Sequence, residues 1–128
     1  MKKAATKINK KNLKQALRVT WSEETSWTKN FDPKNPSADQ CRVTAAVVRT
    51  LLGGKILFTV IKKRPFVSHF WNRLPNGKEI DFTLEQFHKN IKIPKGRVMS
   101  FKEATAAPRI KKTYPPFLKA IKKYLNIS

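Results

Sequence analysis

The apolar pattern of the chain changes its period at Gly53-Gly54, and this change constrains the fold more than any other feature. Before the two glycines, apolar side chains recur at helical spacing, at Val43, Val47, Val48, Leu51 and Leu52. After them, residues 55–62 are rich in β-branched and aromatic side chains, as strands are. A helix followed by strand-like segments predicts an α+β domain in which a central helix packs on a small antiparallel sheet.

Both ends of this helix carry sequence signals. Ser37-Ala38-Asp39-Gln40 has the form of a capping box, with a Ser at the cap and a Gln three residues later. Gly53 supplies the positive φ angle that commonly ends a helix. We therefore expect the helix to begin directly after Ser37 and to carry Cys41 in its first turns.

Two further strand-like segments, residues 66–74 and 78–83, flank Pro75-Asn76-Gly77, which is a hairpin signal. Residues 97–101 are predicted to add an edge strand. The three segments complete the small antiparallel sheet.

The length of the hairpin loop decides which side chains share a face. A two-residue loop pairs Asp81 with Asn72 and turns His69 to the other side. A three-residue loop pairs Asp81 with Trp71, so that His69 and Asp81 share a face. The apolar alternation favours the second register, because it gathers three side chains into one core layer: Phe70, Ile80 and Phe82.

Helices are also predicted near both ends of the chain. Asn12 is the expected cap of a first helix, on which Leu13, Ala16, Leu17 and Thr20 share one face. Residues 21–36 are predicted to be an ordered loop. The last helix is expected to start near Pro115 or Pro116, with an apolar stripe of Phe117, Leu118, Ile121, Tyr124 and Leu125.

Length and composition fit one domain. The 128 residues, 40% of them hydrophobic, are divided into a flexible basic arm, residues 1–11, and a single domain, residues 12–128. There is no run of about 18 apolar residues, so we expect no membrane span. A single cysteine excludes a disulfide within the chain, and we expect a reducing, cytoplasmic compartment.

The formal net charge is +20, and no acidic residue occurs before Glu23 or after Glu103. Such a balance attracts polyanions, so nucleic acid or another polyanion is a candidate partner, bound without sequence specificity. The alternative is a solvated, lysine-rich surface without a binding role.

Cys41 is the candidate nucleophile. Near a helix N-terminus the free N–H groups and the helix dipole favour negative charge, which predicts a stabilised thiolate with a lowered pKa. The alternative is a small buried apolar residue. Gln40, directly before it, is a candidate oxyanion-hole donor; its alternative role is the cap.

His69 and Asp81 are the candidate base and orienting carboxylate, because a cysteine nucleophile needs both. Each has a structural alternative, a carbonyl-bonded histidine and a turn acid. Trp71 and Asn72 flank the histidine, and Trp71 is expected to wall the site. A zinc site formed by Cys, His and Asp is a rival, but we expect neither metal nor cofactor. His88 is predicted to lie at the surface.

The stretch from Trp21 to Phe87 resembles the YunG-like family of small bacterial proteins. The matching pieces are Thr25-Ser26, Asn35-Pro36, Gln40-Cys41-Arg42-Val43-Thr44-Ala45, Gly53-Gly54, Ser68-His69-Phe70-Trp71-Asn72-Arg73-Leu74, Gly77, Ile80-Asp81-Phe82-Thr83 and Glu85-Gln86-Phe87. Asp39 is a departure, since the family usually has glycine there.

The same motifs resemble the core of the transglutaminase-like and papain-like cysteine enzymes. This resemblance implies Cys41 as nucleophile, His69 as base and Asp81 as its partner. The expected function is a cysteine-dependent hydrolase or acyltransferase acting on an amide or thioester. The alternative is a basic nucleic-acid-binding or partner-binding protein with a vestigial triad.

Overall fold

A computed structural model describes residues 8–62, 67–87 and 91–128 of the protein. Its elements in chain order are α1 (Lys10–Thr20), α2 (Cys41–Leu52), β1 (Lys55–Ile61), β2 (Val67–Arg73), β3 (Glu79–Ile80), a 3-10 turn (Leu84–Gln86), β4 (Arg97–Met99), α3 (Phe101–Ala104) and α4 (Pro108–Leu125). Across these ranges the fold is the predicted α+β class, with four helices and one antiparallel sheet. The predictions for residues 1–7, for Phe66 and for His88 fall outside the described residues.

The four strands have the order β3-β2-β1-β4, and every neighbouring pair is antiparallel. Helix α2 lies between this sheet and the terminal helices. On its sheet side, Ala45 packs with Ile56 and Phe70. On its other side, Val43 and Val47 belong to a larger core that is completed by side chains of α1 and α4. The prediction of a central helix packed on the sheet is confirmed.

The hairpin has the three-residue loop that the apolar pattern favours. The Leu74 N–H donates to the Lys78 carbonyl at 2.7 Å, and Gly77 has a φ of +88°. Asn72 pairs with Ile80, so the same register places Asp81 opposite Trp71.

Strand β3 is shorter than predicted, and the expected single core layer is wrong. Because β3 ends at Ile80, Phe82 has already left the sheet and packs in the core formed with α1 and α4. Phe70 packs in the separate cluster that contains Cys41.

The predicted capping box before α2 is wrong. Gln40 occupies the cap position without a side-chain cap bond, and Ser37 Oγ is buried with no hydrogen-bond partner among the described residues. Asp39 has a φ of +69°, and this turn separates Ser37 from the helix start. The predicted helix stop is confirmed, since Gly53 has a φ of +77°.

The terminal helices both start earlier than predicted. Asn9, not Asn12, caps α1, because its Oδ1 accepts a hydrogen bond from the Lys11 N–H at 2.7 Å. Residues 10–11 of the predicted arm therefore belong to α1. Helix α4 begins at Pro108 and continues through Pro115 and Pro116. Its buried face extends over both sides of these prolines, at Ile110, Thr113, Phe117 and Ile121.

In the parts of the chain described here, no helix has the length and apolarity needed to cross a membrane.

Candidate functional site

Cys41 lies in the wall of the cavity that is the main candidate for a binding site. It is the first residue of α2 and is 9% exposed. The cavity has a volume of about 520 Å³. Other side chains in its wall are Trp27, Thr28, Asp39, Arg42, Ser68 and Gln86. The sequence-based placement of Cys41 at the start of a buried helix is therefore correct.

The Cys41 sulfur lies against the main chain on either side of His69. Sγ is 3.8 Å from the Ser68 carbonyl oxygen, and the Phe70 N–H favours its thiolate form. The N–H of Leu74, at the end of β2, points towards the β3 side, since it donates to the Lys78 carbonyl. Main-chain groups along a strand point to alternate sides, so those of Phe70 and Ser68, four and six residues earlier, point to the same side as those of Leu74. The sulfur therefore occupies the edge of β2 beyond the point where β3 ends.

The expected lowering of the Cys41 pKa is wrong. Burial of the thiol raises its pKa to about 11, and the negative charges of Asp81 and Asp39 add to this effect. The Phe70 N–H acts in the opposite direction but is the weaker influence. Because the sulfur is removed from water, the thiol of the resting protein is neutral at pH 7.

His69 and Asp81 form the predicted pair. His69 is fully buried, and its Nε2 lies 2.6 Å from Asp81 Oδ2. The other oxygen of Asp81 accepts from the Thr83 N–H at 3.1 Å and from Thr83 Oγ1 at 3.2 Å. Because a carboxylate oxygen can only accept, Nε2 donates to Asp81, and in the neutral imidazole Nδ1 is then the nitrogen that has the lone pair.

The expected hydrogen bond between Cys41 and His69 is not formed. Among the described residues, His69 Nδ1 has no hydrogen-bond partner. Phe70 and Asn72 contact α2, so the alternating side chains of His69 and Trp71 leave β2 on its opposite face. The bond to Asp81 draws the imidazole towards the same strand edge at which the sulfur lies.

Aromatic rings hold the imidazole in place. The ring of Trp71 stacks on His69 with centroids 5.3 Å apart, and Phe87 meets it edge-on at 4.7 Å. Trp71 is itself fixed by a 2.7 Å bond from its Nε1 to Glu79 Oε1. Trp71 thus walls the base, while the cavity beside Cys41 is formed by other residues.

Gln40 and Asn72 have structural partners. Gln40 is fully buried; its Oε1 accepts from Thr25 Oγ1 at 2.6 Å and its Nε2 donates to the Ser22 carbonyl at 3.0 Å. Asn72 donates from Nδ2 to the Ala45 carbonyl at 2.9 Å and so ties β2 to α2. These bonds join Gln40 to the preceding loop and Asn72 to the helix.

Sequence reasoning did not identify several residues of the cavity. The Arg42 guanidinium lies over the rings of Trp27 and Phe70, 5.2 and 5.1 Å from their centroids. Its Nε also donates to the Ala104 carbonyl at 2.9 Å. Only the position of Arg42 next to Cys41 hinted at a place in the site, because Trp27 and Ala104 are distant in sequence.

Within the described ranges, no three His, Cys, Asp or Glu side chains are grouped so that they could hold a metal ion.

Comparison with known proteins places the chain in a family. The family model described as YunG protein matches residues 9–126. An uncharacterized protein YunG of Bacillus subtilis (strain 168) is 38% identical over 96 residues, which cover 70% of this chain and 76% of the relative. No solved structure matches the chain. The chain belongs to the YunG family.

Proposed function

We propose that the protein is a cysteine-dependent hydrolase or acyltransferase that acts on an amide or thioester through Cys41, His69 and Asp81. The observation that carries this proposal is the buried imidazole of His69, which has one hydrogen-bonded nitrogen and one nitrogen without a partner among the described residues. Nε2 is bonded to Asp81, and Nδ1 has no partner among the described residues. An unpaired buried polar atom costs about 1–3 kcal/mol, a cost that a proton acceptor for the thiol explains.

The proposed reaction uses this free nitrogen as the base. Cys41 gives its proton to His69 Nδ1 as the sulfur bonds to the substrate carbonyl carbon. When the C–N or C–S bond of the substrate breaks, His69 returns the proton to the leaving amine or thiol. Water or an acceptor amine then attacks the carbonyl carbon of the acyl–Cys41 thioester and gives a proton to His69. The carbon–sulfur bond breaks, the acid or the new amide is released, and His69 returns the proton to the Cys41 sulfur.

The raised pKa of Cys41 is compatible with this scheme. A neutral thiol does not need to ionise in the resting protein if its proton leaves as the carbon–sulfur bond forms. Asp81 favours the imidazolium that results, because the opposite charges are 2.6 Å apart. The order of a helix-borne cysteine, a strand-borne histidine and an aspartate after the next turn supports a transglutaminase-like or papain-like core as part of the proposal.

The first experiment compares the alkylation of Cys41 by iodoacetamide at pH 7 in the wild type, His69→Gln and His88→Ala, followed by intact mass. His69→Gln retains most of the buried volume, and we expect it to slow alkylation about tenfold or more, because the thiol loses its base. His88→Ala removes the only other histidine and should react at the wild-type rate. Equal rates for the wild type and His69→Gln in folded protein would contradict the proposal.

A second candidate function is polyanion binding. Helices α1 and α4 pack against each other, and neither contains an acidic residue. Their exposed lysines are Lys10, Lys11, Lys14, Lys111, Lys112, Lys119 and Lys123. A lysine-rich surface of this kind favours a polyanion held by phosphate or sulfate contacts. This activity is compatible with the first, because none of these lysines lines the cavity beside Cys41.

A further inference from the structure

Gln86 contributes a side-chain amide to the same cavity as Cys41. The side chain belongs to the cavity wall, and its Nε2 is buried with no hydrogen-bond partner in the described part of the chain. The main chain of Gln86, by contrast, is held by two hydrogen bonds. The Gln86 N–H donates to the Thr83 carbonyl at 3.0 Å, and the Gln86 carbonyl accepts from Asn35 Nδ2 at 3.2 Å.

An amide in this state differs from the other glutamine near the nucleophile. Gln40 uses its oxygen and one N–H in bonds to Thr25 and Ser22, so its use on a substrate would break contacts of the fold. Within the described ranges, Gln86 has no hydrogen bond from Nε2 that substrate binding would break. Since buried donors are nearly always paired, a buried amide nitrogen without such a partner requires an explanation.

We propose that Gln86 donates a hydrogen bond to the carbonyl oxygen of the bound amide or thioester and stabilises the negative charge that develops there. This inference rests on the proposed function. The second donor is the main-chain N–H of Cys41, because the first N–H groups of a helix have no partner within the helix.

The location of Gln86 along the chain supports this role. The next residue, Phe87, meets the His69 ring edge-on at 4.7 Å. The 3-10 turn at Leu84–Gln86 follows directly after the Asp81–Thr83 turn that holds the carboxylate. One short segment therefore carries the partner of the base, a ring that packs on the base and the proposed donor.

Two reagents separate oxyanion stabilisation from simple thiol reactivity. p-Nitrophenyl acetate acylates Cys41 through a tetrahedral oxyanion, whereas methyl methanethiosulfonate forms a mixed disulfide and has no carbonyl. Rates are measured for the wild type, Gln86→Met and the neighbouring control Glu85→Met, with the rate of Cys41→Ser subtracted because lysines also acetylate. Glu85 is exposed and pairs with Arg18, away from the cavity wall.

We expect Gln86→Met to slow acylation on the order of 100-fold and to leave disulfide formation within about twofold of the wild type. Glu85→Met should change neither rate. Gln86→Met should also be no less stable than the wild type, because methionine replaces an unpaired buried amide by an apolar group of similar size.

Three results would overturn the inference in distinguishable ways. If Cys41 forms the disulfide but the ester does not acylate it even in the wild type, the proposed function fails and this inference with it. If the wild type is acylated in a His69-dependent manner but Gln86→Met acylates equally fast, only the role of Gln86 fails. If Gln86→Met slows both reactions equally or lowers the melting temperature, Gln86 is a structural residue.

Discussion

Two effects oppose each other at Cys41. The start of α2 favours the thiolate, an effect that amounts to about 0.3–1 kcal/mol and at most about 2 kcal/mol. Burial favours the neutral thiol, and the resulting rise of the pKa from 9.0 to about 11 corresponds to about 3 kcal/mol. The sequence predicted the helix end and gave burial of Cys41 as the alternative, which is confirmed. It could not decide between the two effects, because burial depends on contacts with Phe70 and Ser68 from a distant strand.

This raised pKa predicts that Cys41 makes the protein less stable in alkali. Above about pH 9 the unfolded chain loses the thiol proton while the folded protein keeps it, so the free energy of unfolding falls as pH rises towards 11. Well below pH 9 the thiol is protonated in both the folded and the unfolded chain, so it no longer reduces the free energy of unfolding. Urea unfolding at intervals from pH 8 to 11 should show the wild type losing about 3 kcal/mol relative to Cys41→Ser.

Cys41→Ser is the matched control because it retains the small side chain, and serine does not titrate in this range. All lysines titrate alike in the two proteins, so they cancel in the difference. Parallel pH profiles for the two proteins would show that the thiol has the same pKa in the folded and unfolded chains.

Asp39 lies at the position where the sequence resemblance implies a glycine. Its φ of +69° is a conformation that glycine adopts without strain. Aspartate is among the side chains that tolerate it. Here the carboxylate also accepts hydrogen bonds from the N–H and the hydroxyl of Thr28, at 2.6 and 2.5 Å. These bonds offset the backbone strain one residue before the α2 cap.

At the scale of elements, predictions were correct where neighbouring residues alone determine the backbone conformation. Gly53 and Gly77 both have the positive φ angles that the sequence implied. The hairpin register followed from its loop and from the apolar alternation, and it placed Asp81 on the side of His69.

The predictions failed where distant contacts override local preference. Pro115 and Pro116 suit a helix start, yet α4 continues through them because Ile110 and Thr113, in the preceding turns, are buried along with Phe117. The same limit applies to the site. The pairing of His69 with Asp81 was predictable from the register, whereas the cavity formed by Trp27, Arg42 and Gln86 depends on how the loops fold over α2.

The start of α1 provides a direct test of one corrected element. Asn9 caps the helix through its Oδ1, whereas Asn12 is exposed inside the first turn. Asn9→Ala should lower the free energy of unfolding by about 1 kcal/mol, because the Lys11 N–H loses its partner. Asn12→Ala should cause no loss, since alanine is the better helix former. Urea denaturation of both variants measures the difference in the free energy of unfolding. A larger decrease for Asn12→Ala than for Asn9→Ala would indicate that Asn12 is the cap, as the sequence predicted.

At the scale of the whole molecule, the exposed lysines and the reactive side chains lie on different elements. Cys41 lies on α2 and His69 on β2, whereas the lysines lie on α1 and α4, whose buried faces pack on the other side of α2. The cavity is also lined by the loop before α2 and by Ile110 of α4. An acyl-transfer site and a basic surface can therefore operate independently. The net charge of +20 favours electrostatic attraction to polyanions at low salt, and an experiment can test whether binding is localised to one face.

Heparin binding should depend on the lysines of α4 more than on net charge. Lys119→Gln with Lys123→Gln removes two charges from an exposed face that has no carboxylate of its own. Lys55→Gln with Lys78→Gln removes two charges that are also exposed, at the sheet and the hairpin turn. If the polyanion lies along α4, fewer counterions are released in the first variant, and the slope of log affinity against log salt should fall by up to about two. The second variant should keep the wild-type slope. If the slope falls equally in the two variants, or if neither the wild type nor the variants bind heparin at low salt, the lysines form a solvated surface without a preferred binding face.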